Sequence, residues 1–208
     1  TPTGRVDFDG SAAAMQGRAR LNAQVLAGNG AQLEHAALTG AWSFKGEEAR
    51  VQGQLSGRQL RLSSRDPLAT LRKSAAATPV GPLAVHLADA VRRAGESNQF
   101  RTQFALVQRG ATGSLALTDA RLDARSGAHM GLSPDGRITV GWPGQVKVGT
   151  GTGVDWALNG ALTMQGGGLP QAALRLARRP GGGFGGELFV DPYAAGDARL
   201  TLDRVRFM

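Results

Sequence analysis

The sequence predicts a mainly β protein: one long, curved antiparallel meander, open or taco-shaped, with a short two-helix insert. Apolar and polar residues alternate in many short runs, as from Ile138 to Trp142. A period of two residues is typical of strands with one buried face and one wet face. Glycine-rich breaks separate the runs. Strands so close in sequence pair antiparallel, because a parallel pair needs a long crossover.

A single domain is expected over residues 1–208, because no segment in the middle of the chain has the composition of a disordered linker. Residues 1–65 are predicted to form strands, residues 66–95 a helical insert, and residues 99–208 further strands. Within the first region, Gly28-Asn29-Gly30 supplies the positive-φ residues of a hairpin turn.

The insert is recognised by its change to helical spacing. Asp66 followed by Pro67 is a helix start, and this first helix is predicted to end before Pro79. Pro82 begins a second, amphipathic helix, for which Gly95 is placed as the C-terminal cap. The apolar stripe of this second helix comprises Leu83, Leu87, Ala90, Val91 and Ala94. Two roles are open for the insert: a cap packed on the apolar face of the sheet, or a plug that a ligand displaces.

Two shifts in the parity of the apolar positions indicate β-bulges. After Leu117 the apolar positions move to Ala120 and Leu122, and near the end of the chain Val205 is out of parity with Leu202. Because bulges bend and twist a sheet, the apolar face is expected to be concave.

The basic residues are nearly all arginines, and the excess of 24 basic over 16 acidic residues gives the chain a net charge of +8. They are scattered beside apolar strand positions, which indicates a solvated sheet face. Aromatic residues are not interleaved with them as in proteins that bind single-stranded nucleic acid, so no nucleic-acid partner is expected. The absence of cysteine excludes disulfides and thiolate metal sites.

No catalytic constellation is found, so the chain is not expected to be an enzyme, and no metal or other cofactor is expected. Gly181, Gly183 and Gly186 match a G-x-G-x-x-G pattern, but phosphate binding needs a helix start after it, and a strand is predicted there. The three histidines lie far apart in sequence and without carboxylates at metal-ligand spacing.

A continuous apolar sheet face must be covered by something. A second sheet would make a closed sandwich, as in a structural or adhesive domain; acyl chains would make the face a lipid-binding groove. A carbohydrate-binding or hydrolytic β-fold is a third possibility. For the groove, the predicted lining residues are Ile138, Val140, Trp142, Trp156, Leu158, Leu162, Leu174, Leu176, Leu188, Val190, Leu200 and Leu202. An unclosed meander also has two edges, near Arg5–Asp9 and Thr201–Phe207, where another segment can add a strand.

Four segments resemble the interior of alphaproteobacterial YdbH-like proteins: Thr78–Leu83, Leu122–Ala128, Gly166–Leu176 and Pro192–Phe207. These proteins belong with the AsmA-like, or TamB-like, bridges of Gram-negative envelopes. The resemblance implies an interior fragment of a periplasmic protein that is anchored in the inner membrane and carries phospholipid to the outer membrane. It further implies that a neighbouring segment or a small outer-membrane lipoprotein is a candidate for strand addition.

Overall fold

The computed structural model describes residues 2–11, 13–28, 30–62, 78, 81–142, 155–178 and 183–207. Within these residues the chain forms one sheet of thirteen strands and one helix. The strands are β1 (Thr3–Ser11), β2 (Ala14–Gly28), β3 (Ala31–Lys45), β4 (Glu48–Leu62), β5 (Asn98–Arg109), β6 (Thr112–Ala124), β7 (His129–Leu132), β8 (Arg137–Trp142), β9 (Asp155–Asn159), β10 (Leu162–Gly166), β11 (Leu169–Arg178), β12 (Phe184–Ala195) and β13 (Ala198–Phe207). The helix α1 spans Gly81–Glu96.

The sheet is an antiparallel meander in chain order, as the sequence predicts. Strand β6 has two successive partners on one side: its Gly113–Thr118 stretch pairs with β8 and its Arg121–Asp123 stretch pairs with β7. Strand β9 pairs with β8, while β10 pairs with β7 and β11. Strands β7 and β8 therefore together form one long interrupted strand beside β6. Strands β9 and β10 form the next one, and in this sense the meander follows the order of the chain. Strands β1 and β13 are the first and last strands of the main strand order and do not pair with each other, so the described sheet is open.

The register separates an apolar face from a polar face. One row of paired residues crosses eight strands and is apolar or glycine throughout: Phe8, Gly17, Trp42, Val51, Leu106, Leu115, Val140 and Trp156. The row that begins at Arg5, on the opposite face, contains only polar residues from β1 to β9. We call these surfaces the apolar face and the polar face.

Bulges occur where the apolar parity shifts in the sequence. Asp119 has a φ of 50°, and the β5–β6 register shifts between Arg101 and Gln103, which returns Leu122 to the apolar face. The hydroxyl of the buried Thr102 lies 3.1 Å from the carbonyl oxygen of Thr118 and stabilises this bulge. The β12–β13 register shifts as well. Both predicted bulges are therefore confirmed.

Helix α1 packs on the apolar face at one end of the strands. Ala90 and Ala94 lie in a buried cluster with Ala124 at the end of β6, Ala128, and Leu169 at the start of β11. This contact places the second predicted helix on the apolar face, as both the cap role and the plug role require. The first predicted helix, which starts at Asp66-Pro67, lies outside the described residues.

Two details of the second helix were predicted wrongly. Val91 is 37% exposed and does not belong to the buried stripe. Gly95 lies inside the helix, which continues to Glu96. The side-chain amide of Asn98 donates to the carbonyl oxygens of Ala94 at 3.2 Å and Gly95 at 3.4 Å, so a side chain rather than a glycine terminates the helix. No helix among the described residues has the length and apolarity needed to cross a membrane.

Candidate functional site

The twelve predicted lining residues all lie on the apolar face. Ile138 pairs with Leu158, and Val140 pairs with Trp156. The remaining positions follow from the registers of β8, β10, β11, β12 and β13 and include the pairs Leu162–Leu174, Leu174–Leu188 and Val190–Leu202. Trp142 lies opposite Gly113, Leu176 opposite Gly186, and Leu200 opposite Tyr193. The sheet therefore brings together residues that are up to 64 positions apart, from 138 to 202.

The apolar face is larger than the predicted set, because the first six strands extend it. Their contribution includes Val6, Phe8, Leu21, Leu38, Trp42, Phe44, Val51, Leu55, Phe104, Leu106, Leu115 and Leu117. The same two-residue alternation marks these residues in the sequence. The two-residue period of each segment can be read from the sequence. Whether the two halves of the chain share one face, however, depends on strand pairing across the whole sheet.

Large apolar side chains on this face remain open to solvent. Phe8 is 74% exposed, and Leu162, Phe184 and Phe207 are between 37% and 39% exposed. No large side chain among the described residues is fully buried, which sets this sheet apart from the dense core of a sandwich. Leu158, a predicted lining residue, is the contrast: at 8% exposure it is packed among its neighbours.

Glycines allow the aromatic rings to lie flat along the apolar face. A Cβ atom added to Gly17 would fall 2.9 Å from the indole of Trp42, and one added to Gly186 would fall 2.7 Å from Cζ of Phe207. Each ring thus rests on the backbone of the neighbouring strand. A ring that lies along the sheet covers backbone without projecting far above it, which leaves room over the face for a ligand.

One aromatic pair bridges strands that are not hydrogen-bonded to each other. The rings of Trp156 on β9 and Phe184 on β12 stack with centroids 4.5 Å apart and planes inclined by 24°. Offset stacking at this distance is a favourable aromatic geometry. Both side chains are more than a third exposed, so the pair is a part of the face that a ligand can reach.

On the polar face, arginine side chains cover the aromatic residue Phe189. Phe189 points to that face, and the guanidinium carbons of Arg204 and Arg175 lie 4.7 Å and 5.8 Å from its ring centroid. A guanidinium over an aromatic ring is favourable and keeps the charge in water. The aromatic ring on the polar face is therefore covered by arginine side chains, whereas Phe8, Phe184 and Phe207 on the apolar face are exposed.

The helix-covered end of the apolar face carries the buried polar contacts. The hydroxyl of Tyr193 donates to the carbonyl oxygen of Gly168 at 2.8 Å, and its ring lies 5.8 Å from that of His86. Burial raises the pKa of Tyr193, because the charged phenolate loses hydration there. This end of the face is closed by protein, in contrast to the exposed Phe8 and Leu162.

The histidines do not assemble a reactive site. His35 lies at a bulge with a φ of 47°, His86 lies beside Tyr193, and Nδ1 of the exposed His129 is 2.7 Å from the Asp123 carboxylate. Among the described residues, no three histidine or carboxylate side chains group as metal ligands would.

The class defined by these features is an open antiparallel meander with one continuous, partly exposed apolar face, capped at one end by a helix. Comparison of the chain with protein-family models, curated proteins and solved structures found no match.

Proposed function

We propose that the apolar face is a groove for acyl chains, and that this chain is a segment of a periplasm-spanning bridge that conducts phospholipid between the inner and outer membranes. The parent protein would be anchored in the inner membrane. In this role the chain binds lipid without catalysing a reaction and has no nucleic-acid partner. The resemblance of four of its segments to YdbH-like proteins supports the same proposal.

The exposed apolar face is the observation that carries the proposal. Monomeric soluble proteins rarely expose a contiguous apolar patch of more than a few hundred Å². Here the apolar side chains continue across eleven successive strand positions of one sheet, with Phe8 on β1 and Phe207 on β13 both exposed. Burial of a methylene group stabilises by about 0.8 kcal/mol, so a lipid tail on this face gains several kcal/mol.

The dimensions of the strands suit a lipid tail. Strands β2, β3 and β4 each have 15 residues, which is about 50 Å at roughly 3.3 Å per residue. The hydrocarbon core of a whole bilayer is about 30 Å thick, so a single tail lies well within one strand length. The head group stays in water at the open side, and the transfer is passive.

The alternative, a structural or adhesive sandwich, needs a second sheet on the apolar face. The described strands all belong to a single sheet, and in that part of the chain only helix α1 packs on the apolar face, at one end. This observation favours the groove as the use of the face.

Lipid co-purification tests the proposal. The protein is purified without detergent, and an organic extract is analysed by mass spectrometry. Phospholipid is expected with the wild type and with a Gln165→Glu/Gln171→Glu variant, whose changes lie on the polar face. It is expected to be lost with Leu162→Glu/Leu176→Glu, because an unpaired carboxylate facing hydrocarbon is strongly penalised. Equal lipid in both variants, or none in the wild type, would reject the groove.

A further inference from the structure

A continuous row of hydrogen-bonding side chains crosses the polar face. From β2 to β8, residues directly opposite one another are Arg20, Thr39, Gln54, Gln103, Thr118 and Arg137. On β1 the row continues with Arg5, opposite Arg20. No carboxylate interrupts it. Strands are about 4.8 Å apart, so the seven residues span roughly 29 Å perpendicular to the strands.

The row lines a shallow trench with an excess of positive charge. The trench has a volume of about 900 Å³ and includes four arginines and one aspartate, a net charge of +3. Alanines, among them Ala41 and Ala105, lie along it and are exposed although they are small. They keep the floor low, so that a ligand can approach the backbone of the sheet between the longer side chains.

The arginines of the trench are poorly neutralised. Asp7 accepts a hydrogen bond from Nε of Arg5 at 2.8 Å, which raises the pKa of Arg5. The side chains of Arg18, Arg20 and Arg137 make no hydrogen bond or ion pair with another described residue. Arg5 and Arg20 also face each other across the strand pair, an arrangement that is unfavourable for like charges. An anion bound between them removes this repulsion.

We propose that this trench binds an extended acidic polysaccharide that lies across the strands. Guanidinium groups pair with carboxylates through two parallel hydrogen bonds, and Arg20 and Arg137 provide them near the two ends of the row. The amides of Gln54 and Gln103 and the hydroxyl of Thr39 are donors and acceptors suited to sugar hydroxyls. A nucleic acid fits less well, because the trench has no exposed aromatic side chain on which bases stack. The site is on the opposite face from the proposed groove and is independent of it.

Calorimetric titration with a hexamer of galacturonic acid tests the proposal, with the fully methyl-esterified hexamer as the uncharged match. We expect the acid to bind and the ester to bind far more weakly. Arg20→Gln/Arg137→Gln should weaken the acid's binding by about tenfold or more, through the loss of charge-assisted hydrogen bonds. Arg125→Gln/Arg199→Gln, which removes the same charge elsewhere, is expected to change it by less than about twofold because long-range attraction is screened.

A second variant separates shape from charge. Ala105→Phe fills the floor of the trench without altering charge and is expected to weaken binding of the hexamer, with a circular dichroism spectrum that matches the wild type. Equal weakening by both arginine pairs, or no effect of Ala105→Phe, would overturn the proposal in favour of non-specific attraction to a basic surface. Tighter binding of a single-stranded DNA oligomer or of phosphatidylglycerol vesicles than of the hexamer would also overturn it.

Discussion

The indole of Trp142 on β8 lies over Gly113 on β6, so close that a Cβ atom on Gly113 would be 2.6 Å from Cζ2 of the ring. The indole Nε1 donates to Oε1 of Gln108 at 3.0 Å, which fixes the orientation of the ring. Because the glycine has no side chain, the ring can lie along the sheet. This pair illustrates how the apolar face stays both apolar and unobstructed.

Replacing Gly113 by alanine should therefore displace Trp142. The added methyl group would clash with Oε1 of Gln108 as well as with the ring, so both side chains must move, and overpacking of this kind costs about 1–3 kcal/mol of unfolding free energy. Urea unfolding and tryptophan fluorescence measure the loss and the change in the ring's environment. The control is Gly28→Ala, where nothing lies within 4 Å of the new atom. Identical stability of the two variants would contradict the packing described here.

Asn98 is expected to hold helix α1 on the sheet. Its Oδ1 accepts from the backbone N–H of Leu60 at 2.9 Å, and its Nδ2 donates to the helix carbonyls of Ala94 and Gly95. Asn98→Ala leaves these buried groups without a partner, at a cost of about 1–3 kcal/mol. Hydrogen exchange of the Leu60 amide should accelerate. The exposed neighbour Gln99, changed to alanine, provides the control, and an equally small effect at both positions would argue against the tether.

Tyr193 gives a pH-dependent stability that can be observed directly, because it is the only tyrosine in the chain. Burial raises its pKa, so the unfolded state ionises first, near the ordinary value of about 10. The stability is complete below that pH and falls as the pH rises through the folded-state pKa. Spectrophotometric titration should give a midpoint above that of free tyrosine, and Tyr193→Phe should remove this contribution to alkaline destabilisation. A midpoint at or below the free value would contradict the burial.

The edge strand β13 should have unprotected amides. It pairs with β12 on one side, and no described strand lies on its other side. In an antiparallel pair, alternate amides point away from the partner, so hydrogen exchange along Thr201–Phe207 should alternate between slow and fast. Uniform slow exchange in the isolated monomer would mean that the edge is covered and not open to strand addition.

Local patterns were enough to predict the meander and its faces. The alternation around Ile138 and the parity shift after Leu117 depend on residues a few positions apart, and the structure confirms both. The burial of Leu158 and the capping of the helix by Asn98 were not predicted, because they depend on neighbours from other strands. The polar row from Arg5 to Arg137 could not be predicted either, since it exists only once the register of seven strands is fixed.

Photo-crosslinking tests whether the apolar face contacts lipid. A photoreactive residue is placed at Trp156 or Leu162, both exposed on the apolar face, and at Ala157 or Gln165, their exposed counterparts on the polar face. After expression in a Gram-negative host and irradiation, phospholipid adducts are identified by mass spectrometry of the protein. We expect adducts at Trp156 and Leu162 and none at Ala157 and Gln165. Equal labelling of the two faces, or labelling of neither, would contradict it.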